Sequence, residues 1–161
     1  MYCIGLAAIP FSSVLAQEMT RYENFEDFAP ILSRQDGKTY VINFWATWCA
    51  PCIRELPYFE QLNSSFTHND LEVILVNLDF PDQFEEKVIP FINKKSLKSK
   101  VIHLADPKPN HWIDLVDPSW SGAIPATYIY NSQKSQFFER TFYSYEELEN
   151  ITKKFINLLN E

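Results

Sequence analysis

Apolar and polar positions divide the chain into segments whose period names their structure. Phe25, Phe28, Ile31 and Leu32 recur at helical spacing and predict a helix over 24–34. Asp36-Gly37 then marks a turn. "TYVINFW" (39–45) is a continuous apolar run, as expected of a strand buried on both faces. Over 50–66, Ile53, Leu56, Phe59, Leu62 and Phe66 share one helical face. "LEVILVNL" (71–78) is a second buried strand. Residues 83–96 read as a helix with Phe84, Val88, Phe91 and Ile92 on one side, and "KVIHLA" (100–105) as a third strand. Residues 109–122 form a loop with one helical turn. "ATYIYN" (126–131) and "SQFFERTF" (135–142) form a hairpin turned by Ser132-Gln133-Lys134. The last segment, 144–159, is a helix with Leu148, Ile151, Phe155 and Leu158 on its apolar face; Ser144 is its N-cap and Glu147 completes a capping box. Strands alternate with helices, and a hairpin precedes a final helix. The fold class is therefore α/β, layered around a mixed sheet.

The chain has 161 residues, enough for one domain with a real core. Its net charge of −7 disfavours nucleic acid, whose binding depends on neutralising phosphates. The one basic run, Lys94 to Lys100, reads as a solvated helix end, where cations complement the dipole. The first 17 residues are apolar and free of charge, too short to span a bilayer. Val14-Leu15-Ala16 before Gln17 has the small-residue character of a cleavage site, although a positive n-region is missing. This divides the chain into a signal peptide or anchor over 1–16 and a domain over 17–161, the alternative being a buried first strand. Cys3 would leave with the signal, and lipid anchoring through it is weakly supported. The expected location is periplasmic or otherwise extracytoplasmic.

Chemistry concentrates in "WATWCAPC" (45–52). A structural zinc site needs four ligands, and no second cysteine pair exists, while His68, His103 and His111 are scattered. Haem attachment needs a histidine after the second cysteine, and position 53 is isoleucine. No metal or cofactor is expected beyond a redox-active Cys49–Cys52 disulfide. A purely structural disulfide closing so short a loop removes little entropy from the unfolded chain. Between a buried strand and a helix, Cys49 falls at the helix N-terminus, where free N–H groups and the dipole stabilise a thiolate. Cys52 lies one turn inside on the same face. Pro51 has no N–H to lose in the first turn. Thiol–disulfide exchange is the favoured chemistry.

The arrangement of strand, WC-x-P-C, helix and a distant X-Pro before a strand resembles thioredoxin over roughly residues 24–160. "FWATWCAPCIRELP", the helix-bearing segment after "VNLD", and "WSGAIPATYIYN" resemble the TlpA/ResA-type thiol–disulfide oxidoreductases. The resemblance implies a thioredoxin-like fold with an extra helix-bearing insert after the central strand. It implies a helix-kinking role for Pro57 and a cis Ile124–Pro125 bond opposite the cysteines, whose backbone receives a client's extended chain. Catalysis would then rest on Cys49, Cys52 and Pro125, and client binding on Trp48, Ala50, Pro51 and Ile124. Two departures stand out. Thioredoxin's buried aspartate is replaced by Asn43, and the lysine paired with it by Leu75. The carboxylate serving Cys52 is then expected to be Asp79, with Glu55 and Asp82 as alternatives. Asp79 could equally cap the loop after its strand.

Trp45 reads as core. Trp112 and Trp120 either line the groove near Pro125 or anchor a loop. His111 reads as a surface histidine. Asn63 and Asn150 match a glycosylation pattern but fall on helices. The uncharged Ala50-Pro51 lacks the histidine of strongly oxidising relatives, which points to a reductase recharged by a membrane thiol donor. Implied clients are disulfides of secreted proteins, including apocytochrome c, met by a monomer. A peroxiredoxin-like peroxidase would carry threonine three residues before the cysteine, where Ala46 stands. A copper chaperone needs a wider cysteine spacing. A non-enzymatic peptide-binding adaptor would not need the cysteines.

Overall fold

The computed structural model describes residues 19–159, so the signal or anchor reading of 1–16 and the fate of Cys3 lie outside the described residues. Six strands form one mixed sheet in the order β1-β4-β3-β2-β5-β6. They are β1 (Met19–Tyr22), β2 (Thr39–Trp45), β3 (Leu71–Asn77), β4 (Lys100–Leu104), β5 (Ala126–Tyr130) and β6 (Ser135–Phe138). β2, β3, β4 and β1 run parallel, and β5 and β6 run antiparallel to their neighbours. The central strands are apolar throughout because both faces are covered. Alternate side chains divide between two cores. Val41, Val73, Leu75 and Ile129 meet Leu56, Phe59 and Leu62 of α2 (Ala50–Ser65), Ile92 of α3 (Ile89–Lys95), and Leu148 and Phe155 of α5 (Tyr145–Leu159). Tyr40, Ile42, Phe44, Ile74 and Val76 meet Phe25 and Phe28 of α1 (Phe25–Phe28), Val116 of α4 (Ile113–Val116), and Trp112 and Trp120.

Three elements differ from the sequence pattern. The helix expected over 24–34 splits into α1, capped by Asn24, and a 3-10 turn over Ala29–Ser33. Pro30 supplies no N–H there, which ends regular α-helix bonding. The helix expected over 83–96 begins as a π turn, Phe84–Val88, before α3. Pro90 is the reason: an α-helix would drive its ring against the carbonyl of residue 86, and the wider turn, with Ile89 N–H bonded to Phe84 O, avoids this. β1 has no counterpart in the sequence reading. It is four residues long and pairs only with β4, some eighty residues away, in the register Met19↔Val101. At the end of α3, Ser96 takes a left-handed φ of 52°. The basic run then passes Lys98 and Ser99, whose N–H groups donate to the Glu60 carboxylate at 2.6 and 3.0 Å. α5 is capped as expected by Ser144, whose Oγ accepts from Glu147 N at 3.2 Å; Glu147 reaches back to Tyr143 N rather than to Ser144.

The packing predicts a contrast. Leu62 is fully buried on α2, whereas Leu115 on α4 is 68% exposed. Leu62→Ala should cost about 2–5 kcal/mol. Leu115→Ala should stay within about 0.5 kcal/mol of wild type. Urea denaturation of the oxidised protein measures both, and equal losses would contradict the two-core packing.

Candidate active site

The site sits where β2 ends and α2 begins. Leu78 N donates to Trp45 O at 2.8 Å and keeps the ends of β2 and β3 together. The chain turns through residues 46–48, and Cys49 N donates back to Ala46 O at 3.1 Å. Cys49 is the N-cap of α2, with extended φ and ψ of −88° and 93°. Its Sγ accepts from Cys52 N at 3.3 Å. Ala50 and Pro51 form the first turn, where proline is tolerated. Pro57 lies inside α2, where it lacks the N–H that would bond the carbonyl of residue 53. Cys49 and Cys52 are joined in a disulfide with Cα atoms 5.3 Å apart. Cys49 is 5% exposed and Cys52 not at all.

Ile124–Pro125 is cis, and the Ile124 carbonyl oxygen lies 3.7 Å from Cys49 Sγ. The loop before β5 is thus brought against the sulfur that faces outward. Trp48 stands at the rim, 59% exposed. Trp45 is buried and packs on Phe91, as a core residue. Trp112 and Trp120 are buried, 5.8 Å apart between ring centres, and both line a groove that also touches Trp48 and Ile124. His111 is exposed on the 3-10 turn Pro109–His111. Asn63 and Asn150 lie within α2 and α5.

Two buried carboxylates flank the cysteine loop. Asp79 is 2% exposed. It accepts from Thr47 N at 2.7 Å, from the Thr47 hydroxyl, and from Asn77 Nδ2 at 2.7 Å. Asn77 Oδ1 in turn accepts from Asp79 N at 3.1 Å and faces His103 Nδ1 at 2.9 Å. Since the Asn77 amide nitrogen is committed to Asp79, the imidazole proton sits on Nδ1. Burial, helped by the charge of Arg21, pushes the His103 pKa down to about 4, so the ring is neutral at physiological pH. This chain of bonds fixes Thr47, two residues before Cys49. Asp82, the other alternative after β3, is exposed on the 3-10 turn Pro81–Gln83.

Glu55 is fully buried on α2, three residues after Cys52 and on the same helical face. Its Oε1 accepts from Asn43 Nδ2 at 2.9 Å, and its Oε2 from Phe142 N at 2.7 Å. Asn43 Nδ2 also donates to Thr127 Oγ1 at 3.1 Å. Leu75 and Thr127 are the strand partners of Asn43 on either side. Among the described residues, no cation bonds this carboxylate. Burial therefore dominates and raises its pKa to about 7, against the opposing pull of the Phe142 N–H, Asn43 and the charge of Arg140. Asn43 stands where thioredoxin has a strand acid. The structure shows a helix acid bonded to that asparagine. Its signal was a charged residue on the apolar stripe of Cys52, Leu56, Phe59 and Leu62.

Among the described residues, no group of three or more His, Cys, Asp or Glu side chains could hold a metal ion, and no helix is long and apolar enough to cross a membrane.

A protein named thiol-disulfide oxidoreductase ResA from Oceanobacillus iheyensis is 34% identical over 85 residues, covering 48% of this chain and 44% of that protein. The chain spans between 32% and 57% of the length of the first three such relatives. A thioredoxin-family thiol:disulfide interchange protein from Chlorobium tepidum shares the fold, at 21% identity and a TM-score of 0.63 over 80% of this chain and 84% of that one. So does a secreted Mycobacterium tuberculosis disulfide oxidoreductase homologous to E. coli DsbE, at 21% identity and a TM-score of 0.55 over 73% and 82%. The AhpC/TSA family model matches residues 19–135, and the chain belongs to the AhpC/TSA family, with a thioredoxin-like fold.

Proposed function

We propose that this protein is a thiol–disulfide oxidoreductase that works as a reductase outside the cytoplasm. The observation that carries the reading is the Cys49–Cys52 disulfide at the N-terminus of α2, with the Ile124 carbonyl 3.7 Å from the outer sulfur. In the reduced protein, Cys49 is the nucleophile. It is the more exposed of the two, and the Cys52 N–H aimed at it favours its thiolate. Its thiolate attacks one sulfur of a client disulfide, forming a mixed disulfide and releasing the other client sulfur as a thiolate. Cys52 then loses its proton and attacks Cys49 Sγ. The second client thiolate leaves, and two electrons have passed from the protein to the client. A thiol donor restores the pair by the reverse exchange.

Ile124 and Pro125, with Trp48, Ala50 and Pro51 around the sulfurs, receive the client backbone. For the proton of Cys52 we assign Glu55 rather than Asp79. A carboxylate with a pKa of about 7 can both accept and return a proton near neutrality. Asp79 spends its oxygens on Thr47 and Asn77, which makes it a positioning residue for the turn that leads to Cys49. The same bond weighs against a peroxidase: Ala46 occupies the position of that chemistry's threonine, and the Thr47 hydroxyl points to Asp79. The apolar, charge-free residues 1–17 and the secreted relative support an extracytoplasmic setting. Clients there are disulfides of secreted proteins or of apocytochrome c, and the donor is a membrane thiol protein. The uncharged Ala50-Pro51 supports the direction.

Two outcomes test this. Cys52→Ser should accumulate a mixed disulfide with an oxidised client, and Cys49→Ser should form none, as read by non-reducing electrophoresis and mass spectrometry. The couple should equilibrate near thioredoxin's potential, roughly −270 mV, rather than the roughly −120 mV of strong oxidants; the latter value would reverse the direction.

A further outcome concerns Glu55. Its folded pKa lies above the ordinary glutamate value of 4.5, so the folded state binds the proton more tightly than the unfolded chain. Stability is then greatest below pH 4.5 on this account and declines as pH rises through about 7. The size is on the order of 3 kcal/mol, at about 1.4 kcal/mol per pKa unit. In Glu55→Gln this contribution should vanish, leaving a flatter profile in urea denaturation of the oxidised protein between pH 5 and pH 8. The same variant should slow resolution of the mixed disulfide at pH 7 by about 100-fold, the low end of general-base effects. An unchanged resolution rate would remove Glu55 from the mechanism.

A further inference from the structure

Beside the cysteine loop lies a groove of about 470 Å³. We propose that this groove selects clients carrying a bulky apolar side chain, aromatic above all, next to the reacting cysteine and flanked by basic rather than acidic residues. The inference rests on the exchange reading above and names the substrate class of the same site.

The groove is continuous with the redox centre, because Trp48 and Ile124 line it. A client whose sulfur reaches Cys49 has its neighbouring side chains over this opening. The volume falls in the range of about 300–1,000 Å³ typical of small-ligand pockets, ample for an aromatic ring. Its walls include Phe80, Trp112, Ile113 and Trp120. Phe80 and Trp48 remain 64% and 59% exposed at its rim. Large apolar surfaces left in water beside a reactive group mark a contact surface.

The two carboxylates in the wall already have partners. Asp79 is bonded to Thr47 and Asn77. Asp106 accepts from Phe25 N at 2.9 Å and Lys108 N at 2.8 Å. An uncharged apolar group therefore enters without stripping either carboxylate of its partners. The charges still act at short range. Asp79 and Asp106 in the wall, and the exposed Asp82 and Asp114 next in sequence to the lining residues Pro81 and Ile113, outnumber Lys108 beside Pro107 and Pro109. In a chain of net charge −7 this repels acidic clients and attracts basic ones.

Gly122 shapes the groove. Its φ is +93°, and a Cβ there would meet Ile113 Cδ1 at 3.0 Å. Glycine lets the segment leading to Ile124 lie against α4 and holds Ile113 in the wall.

The test uses the full chain in its reduced form and a set of short peptides, each joined by its single cysteine to glutathione. The residue beside the cysteine is Phe, Ala or Asp, and a second set adds Lys or Glu beyond it. Glutathione disulfide serves as a reference with no such side chain. Wild type should reduce the Phe peptide with a kcat/KM at least about tenfold above the Ala peptide, the lower end of what a filled apolar pocket gives. The Asp peptide should fall below Ala, and Lys should exceed Glu, more so at low salt. Phe80→Ala, an exposed position where folding is safe, and Ile113→Ala should each bring the Phe-to-Ala ratio to within about threefold of one. That ratio is internal to each variant, so a general loss of activity cancels. Equal wild-type rates for Phe and Ala would overturn the inference, as would a ratio untouched in both variants. Binding of the same peptides with serine for cysteine, read by tryptophan fluorescence, separates the two levels. Absence of all turnover with Phe-over-Ala binding intact would remove the exchange reading and keep the groove. Turnover on every disulfide without preference would remove the groove and keep the exchange.

Discussion

The Glu55 carboxylate joins three parts of the chain that are distant in sequence. It belongs to α2, takes one hydrogen bond from Asn43 in the middle of β2, and takes another from Phe142 N in the segment leading to α5. Asn43 extends the connection to Thr127 on β5. Thr127 stands two residues beyond Pro125, so the carboxylate fixes the redox helix against the strand whose entry faces Cys49. Hydrogen bonds from neutral donors hold it in place but do not cancel its charge, because Arg140 spends its ion pair on Glu147 at 2.7 Å. The group therefore keeps a cost of burial that an apolar residue would not have. That cost sits one helical turn from Cys52, where a group that exchanges a proton near neutrality has a use.

Much of this architecture could be read from residue patterns, for a reason visible in β2 and β3. A strand covered on both faces must be apolar at every position, and the predicted 39–45 coincides with β2. The cysteine pair was equally legible, since its spacing, its place before a helix and Pro51 all act locally. Contacts between distant segments were not. β1 is an edge of four residues, half polar, that exists only because β4 offers a partner. The π turn before α3 expresses a clash between Pro90 and the carbonyl four residues earlier. Asp79 and Glu55 show the same limit at the site. Glu55 lies close to the motif in sequence, and Asp79 has the expected buried position after a strand. Only the fold shows that its oxygens are taken up by Thr47 and Asn77, while Asn43, twelve residues away in sequence, presents its amide to Glu55.

The two carboxylates also bear on the proposed direction of electron flow. The N-terminus of α2 and the Cys52 N–H favour a Cys49 thiolate, which stabilises the reduced state and would make the couple oxidising. Ala50 and Pro51, the residues between the cysteines, are uncharged, and His103 is neutral because it is buried. Asp79, fixed to the backbone of residue 47, places negative charge behind the same loop and opposes the thiolate. An ionised Glu55 does the same to Cys52. One favourable dipole is thus set against two carboxylates beside the pair. That balance supports the proposed direction, with the disulfide as the state reached after electrons are given up.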